Sequence, residues 1–138
     1  MIESIKVKIV KTADTEKLKA LYIDAGWWDD NNDNVDPDLI PMIVKGSYCF
    51  AIATLEDRYI GMGRAISDGV SDAYIQDVAV LKELRGKGIG NLIMDELIHY
   101  LKKNNIGWIG LIAEPQSVSF YERYGFNKMR DYVPFLLK

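Results

Sequence analysis

The sequence predicts a mixed α/β domain, with a central, mostly antiparallel sheet flanked by about four helices. Three observations carry that expectation. Short strand-like runs joined by tight turns fill much of the chain up to residue 80. A long amphipathic stretch then runs from about Gly88 to Lys103. Beyond it, strand-like and helical periods alternate once more. At 138 residues the chain matches a single domain, residues 1–138, large enough to bury a continuous core.

Ile5, Val7 and Ile9 alternate with Lys6 and Lys8, the period of a half-buried strand. Thr12 to Glu16 offer capping side chains, and Leu18, Leu21 and Tyr22 form a helical stripe ending near Gly26. Asp36-Pro37 reads as a cap followed by proline in the first turn, starting a helix that runs to about Val44. Tyr48 to Leu55 is apolar on both faces and is expected to be a central strand. Glu56-Asp57-Arg58 and Ser67-Asp68-Gly69 are turn signals, so the strands on either side of each run antiparallel. In the long helix Ile89, Leu92, Ile93, Leu97, Tyr100 and Leu101 fall on one face. Ile106 to Ile112 reads as a strand, and Pro115 to Tyr124 as a short helix closed by Gly125. Tyr132 to Leu137 reads as a final strand.

Hydrophobic residues make up 49% and charged residues 27%, the balance of a folded globular protein rather than a disordered one. The net charge of −3 and pI near 5.2 give no general attraction to nucleic acid or to an anionic membrane. An anionic ligand must therefore be held by a local cluster of donors. Cys49 is the only cysteine and lies in an apolar run, so it reads as a core thiol. His99 is the only histidine, which leaves no multi-histidine metal site, and no metal is expected. No signal-peptide pattern or membrane-length apolar run is present, and a cytoplasmic protein is the simplest reading.

The strongest chemical signal is Arg85-Gly86-Lys87-Gly88-Ile89-Gly90, between a buried strand and the start of the long helix. A helix start presents unpaired N–H groups and positive dipole, and glycines let the backbone approach a ligand closely. With Arg85 and Lys87 this makes a pyrophosphate site, to which Lys82 can add charge. A P-loop would need Ser or Thr after Gly-Lys, and Gly88 stands there. A dinucleotide fingerprint needs a βαβ unit, and antiparallel hairpins precede this loop. Both fit poorly.

Arg85-x-x-Gly88-x-Gly90 resembles the acetyl-CoA signature of the GNAT N-acetyltransferase superfamily, Arg/Gln-x-x-Gly-x-Gly/Ala. Phe120-Tyr121-Glu122-Arg123-Tyr124-Gly125-Phe126 resembles that superfamily's Tyr-x-x-x-Gly-Phe segment. One helix and one strand separate the two motifs, and the order of elements matches from about Ile5 to Leu137. The resemblance implies acetyl-CoA as cosubstrate and direct acetyl transfer to a primary amine. The acceptor would be a small molecule or a protein. It also implies that the N–H groups of Gly86, Lys87, Gly88, Ile89, Gly90 and Asn91, beside Arg85, hold the CoA pyrophosphate. Val78, Ala79 and Val80 would pair with the pantetheine arm where neighbouring strands splay. Many members have Asn seven residues before the tyrosine and Ala four before it. Here Glu114 and Ser117 occupy those places, so an Asn-to-pantetheine hydrogen bond does not carry over.

Acetyl transfer needs an amine that loses a proton and an acid for the departing thiolate. The resemblance places the Tyr121 hydroxyl near the CoA sulfur, and a phenol with an ordinary pKa of about 10 is protonated at neutral pH. For the base, Asp77 has two readings: it faces the acceptor cleft, or it pairs with Arg64 across the hairpin. The segment from Trp27 to Asp38 is expected to bound the acceptor pocket. There Trp27, Trp28 and the carboxylates Asp29, Asp30, Asp33 and Asp36 would suit a cationic amine. The alternative is a solvated loop with both tryptophans in the core. A non-catalytic acyl-CoA-binding module on the same fold is the competing functional reading, and a homodimer is possible through the final strand.

Overall fold

Five strands and four helices form along residues 4–29 and 36–138, the part of the chain that the computed structural model describes. They are β1 (Ile5–Val10), α1 (Thr15–Asp24), α2 (Leu39–Gly46), β2 (Cys49–Leu55), β3 (Arg58–Ser67), β4 (Asp72–Val80), α3 (Ile89–Lys103), β5 (Trp108–Leu111) and α4 (Val118–Tyr124). The sheet order is β1-β2-β3-β4-β5, antiparallel except for the parallel pair β4·β5. Tight turns explain the antiparallel pairs β2·β3 and β3·β4, α1 and α2 connect the antiparallel pair β1·β2, and the crossover through α3 explains the parallel one.

Apolar residues cover both faces of β2. Cys49, Ala51 and Ala53 face α3, whose Ile93, Met94, Leu97 and Leu101 are fully buried. Phe50 and Ile52 pack instead with Leu18, Leu21 and Tyr22 of α1 and with Ile40 and Val44 of α2. The α3 face of the sheet is built from small residues so that the long helix can sit close. At Gly63 an added Cβ would lie 2.9 Å from Ile93 and 3.0 Å from Leu97. Gly63→Ala is therefore expected to destabilise the fold by about 1–3 kcal/mol, measurable in chemical denaturation.

β4 is irregular at the point that matters. Gly61 pairs with Val80 and Met62 with Ala79, but Arg64 pairs with Gln76, so Gly63 stands opposite two residues, Asp77 and Val78. Asp77 takes φ +55°, the left-handed conformation that Asp tolerates better than most residues. This bulge follows directly after the last β4·β5 pair, Ile75 with Leu111. Beyond it, no strand among the described residues pairs with 78–80 on their β5 side.

Three boundaries differ from the sequence reading. α2 begins at Leu39 with Asp38 at its cap position, rather than being capped by Asp36. Asp36 instead closes the preceding turn, its carboxylate accepting from Asp38 N at 2.8 Å and its carbonyl from Leu39 N at 3.0 Å. β5 is shorter than residues 106–112, because Asn105 turns at φ +65° and Gly107 N bonds to Ser71 O ahead of the ladder. The final strand predicted over Tyr132–Leu137 does not form. A strand needs a neighbour's hydrogen bonds, and this segment lies exposed beyond α4 with no ladder partner among the described residues.

Candidate functional site

A turn of 3-10 helix, Lys82–Leu84, leads from β4 to Arg85. Gly86 and Gly88 then adopt φ of +79° and +85°, conformations that are strained for residues with side chains. Gly88 caps α3 without a side-chain hydrogen bond, and the first helical bond runs from Leu92 N to Gly88 O at 3.2 Å. Among the described residues, no protein acceptor takes the N–H groups of residues 86–91. Six consecutive donors at the positive end of a 15-residue helix form an anion cradle.

The cradle opens into a cavity of about 520 Å³. Of the ten residues expected at the cosubstrate site, nine line it: Val78, Ala79 and Val80 of β4, then Arg85, Gly86, Gly88, Ile89, Gly90 and Asn91. The exception is Lys87, whose side chain is exposed outside the cavity wall, leaving only its N–H in the cradle. A second cation comes from Arg123 on α4, which sequence reasoning did not single out. Arg85 is anchored by its Nε donating to Val80 O at 3.2 Å.

Tyr121 forms part of the opposite wall. Its ring packs edge-on against Phe120 and Phe126. Phe120 in turn lies where a Cβ on Gly90 would be 3.1 Å away, so the glycine lets α4 approach the first turn of α3. That contact sets the distance from Tyr121 to the cradle. Burial, reinforced by the charge of Glu114, pushes the Tyr121 phenol up to about 12. Among the described residues its hydroxyl has no hydrogen-bond partner.

Asp77 takes the paired option. Its Oδ2 accepts from Arg64 Nε at 2.7 Å and from Tyr22 Oη at 2.8 Å. Burial, then the neighbouring Asp77 charge, drives the Tyr22 phenol far above its ordinary value. Asp77 also borders a second groove of about 320 Å³, with Trp27, Tyr74, Gln76, Ile112 and Glu114.

Trp27 and Glu114 line both spaces and mark their junction. Trp27 Nε1 donates to Glu114 Oε1 at 2.7 Å, and Gln116 Nε2 donates to Oε2 at 2.6 Å. The two tryptophans therefore divide between the two readings. Trp28 stacks on Tyr22 and joins the packing, while Trp27 lines the cleft. Asp36 belongs to the turn before α2, and Asp30 and Asp33 lie outside the described residues. Glu114 carried one signal in the sequence, as the departure seven residues before Tyr121; its contact with Trp27, 87 positions away, is visible only in the fold. His99 is exposed on α3. Among the described residues no three His, Cys, Asp or Glu side chains gather as a metal site, and no helix is long and apolar enough to cross a membrane.

A sheet split beside a bulged strand, with an anion cradle at one end and a tyrosine across the gap, defines a class. It is an α/β domain whose split sheet opens beside a helix N-terminus rich in unpaired N–H groups. Residues 32–133 match the family model described as the acetyltransferase (GNAT) domain. The chain is 41% identical over 76 residues to an uncharacterized N-acetyltransferase of Porphyra purpurea, a match covering 55% of this chain and 44% of that protein. It is 42% identical over 72 residues to the chloroplastic GCN5-related N-acetyltransferase 2 of Arabidopsis thaliana, covering 52% of this chain and 28% of that one. The match thus spans less than half the length of these curated relatives. A crystal structure of a probable acetyltransferase of unknown function from meticillin-resistant Staphylococcus aureus superposes with a TM-score of 0.82. It is 28% identical, and the match covers 97% of this chain and 98% of that one. The chain belongs to the GNAT acetyltransferase domain family.

Proposed function

We propose that this domain transfers the acetyl group of acetyl-CoA directly to a primary amine, with Tyr121 as general acid. The observation that carries the reading is that the six unpartnered N–H groups of residues 86–91 open into the same cavity as Tyr121. Acetyl-CoA fits these residues and supplies an activated thioester when bound. The cradle, with Arg85 and Arg123, holds the pyrophosphate. Residues 78–80, lacking a strand on their β5 side, offer backbone groups to the amides of the pantetheine arm. Tyr121 keeps its proton at Oη and delivers it to the sulfur as the thiolate leaves.

The acceptor amine enters the second groove. Glu114, held by Trp27 and Gln116 at the junction, pairs with the ammonium and takes up its proton, directly or through water. A free alkylamine has a pKa of about 10.4, so it arrives charged at neutral pH, and a carboxylate beside aromatic rings suits it. Asp77 is already committed to Arg64 and Tyr22 through one oxygen, so it shapes the groove and adds negative charge there.

Isothermal titration with acetyl-CoA tests the first half of this reading; absence of heat at high ligand concentration refutes it. Thiol release across a panel of amines tests the second. Binding without release from any amine identifies a non-catalytic acyl-CoA module instead. Glu114→Gln is expected to raise the amine KM about tenfold and change the acetyl-CoA Kd little. Equal losses in both would place Glu114 in general folding rather than in acceptor binding.

A further inference from the structure

Ala79 and Val80 of β4 pair with β3, and no strand among the described residues holds 78–80 on the other side. A strand segment with one free side is less ordered than its neighbours unless something else fixes it. Two hydrogen bonds from the last turn of α1 bracket this segment. Before it, Tyr22 Oη donates to Asp77 Oδ2 at 2.8 Å, at the bulge residue. After it, Asp24 Oδ2 accepts from Lys82 N at 3.0 Å, where the turn toward Arg85 begins.

Neither residue is what α1 alone would select. Tyr22 is 3% exposed in a cluster with Leu18, Leu21, Phe50 and Met62. A phenylalanine would fill that space and need no hydrogen-bond partner. Asp24 is the last residue of α1, where a carboxylate opposes the helix dipole. Each polar group is accounted for by the β4 atom or the turn atom that it meets. A residue that breaks a local rule in favour of a distant contact points to a functional constraint.

We propose that the end of α1 clamps the open segment of β4 at both ends, making Tyr22 and Asp24 positioning residues for acetyl-CoA. This rests on the reading that residues 78–80 receive the pantetheine arm and 86–91 the pyrophosphate. Tyr22, together with Arg64 Nε at 2.7 Å from the same oxygen, fixes the bulge from which the free backbone begins. Asp24 takes the Lys82 N–H, an orphan donor at the start of its short turn, and so fixes the path from Val80 to Arg85 and the cradle. The ion pair of Glu83 with Arg58 tethers the same turn, but both side chains are exposed and solvent screens them. The backbone is thus set before the ligand arrives, and binding loses little to ordering it.

Calorimetric titration of acetyl-CoA into the wild type and three variants tests the clamp. Tyr22→Phe and Asp24→Ala should each weaken binding about three- to tenfold, the equivalent of one hydrogen bond. Asp24→Asn keeps an oxygen able to accept from Lys82 N and should bind within about a factor of two of the wild type. Affinity measured well below the melting temperature does not follow global stability, so a merely structural role would leave it unmoved. Without ligand, the Lys82 amide proton should exchange at least about threefold faster in Asp24→Ala and at the wild-type rate in Asp24→Asn. Unaltered affinity in Tyr22→Phe or in Asp24→Ala, beside a wild type that binds, would overturn the clamp and leave the acetyl-CoA site standing. Equal weakening by Asp24→Asn and Asp24→Ala would overturn it too, since the charge rather than the Lys82 bond would then matter. A wild type that gives no heat overturns the site and the clamp together.

Discussion

Tyr121→Phe is expected to lower turnover by about 10²–10³-fold while leaving acetyl-CoA affinity within about a factor of two. The substitution removes one oxygen and keeps the ring that packs against Phe120 and Phe126, so the fold and the cavity wall persist. Under the proposed mechanism, what is lost is the proton that Tyr121 would deliver to the departing thiolate. The rise of the phenol to about 12 also fixes the pH dependence. An acid with a raised pKa is protonated below that value, so Tyr121 should impose no alkaline fall in rate until pH approaches 12. An unperturbed phenol would begin to lose activity near its ordinary value of about 10. Steady-state rates from neutral pH to about pH 10, for both proteins, check the two expectations together. Unchanged turnover in the variant would remove Tyr121 from the chemistry.

Gly88→Val should act at the opposite end of the cavity and in the opposite manner. Gly88 sits at φ +85° at the start of α3, where a β-branched residue costs about 1–3 kcal/mol of backbone strain. If the loop relieves the strain by turning, the six N–H groups no longer converge. If it does not, the side chain adds bulk beside the cradle. Acetyl-CoA affinity is therefore expected to fall at least about 100-fold, read by titration calorimetry. The melting temperature should drop by roughly 3–12 °C, the equivalent of that strain, because Gly88 itself belongs to neither core cluster and the core packing of Ile89 and α3 persists. Intact binding in a folded Gly88→Val protein would move the anion site elsewhere.

Much of the architecture was legible because local period and core packing agree. The lysine alternation in β1, the double-sided apolar run in β2 and the stripe of α3 each describe an element whose burial matches its pattern. The glycine loop was legible for the same reason, since Gly86 and Gly88 are local requirements. Features made by distant chain segments were not. Asp77 reads in the sequence as a strand carboxylate, either a base or a partner of Arg64, and only the register jump opposite Gly63 shows its backbone as the bulge of β4. Glu114 acquires meaning through Trp27, and Arg123 through the position of α4 against α3. The pattern of Tyr132 to Leu137 describes a strand, but pattern alone cannot supply the neighbour that a strand requires.

Cys49 is the only thiol in the chain, 3% exposed at the start of β2, and burial pushes it up to about 11. Disulfide reagents react with thiolates, so at neutral pH the folded protein should be nearly silent toward them. Free CoA can then be counted colorimetrically during turnover with almost no background from the enzyme. The same residue becomes a clock for global opening: its labelling rate in the absence of substrate reports how often β2 leaves the core.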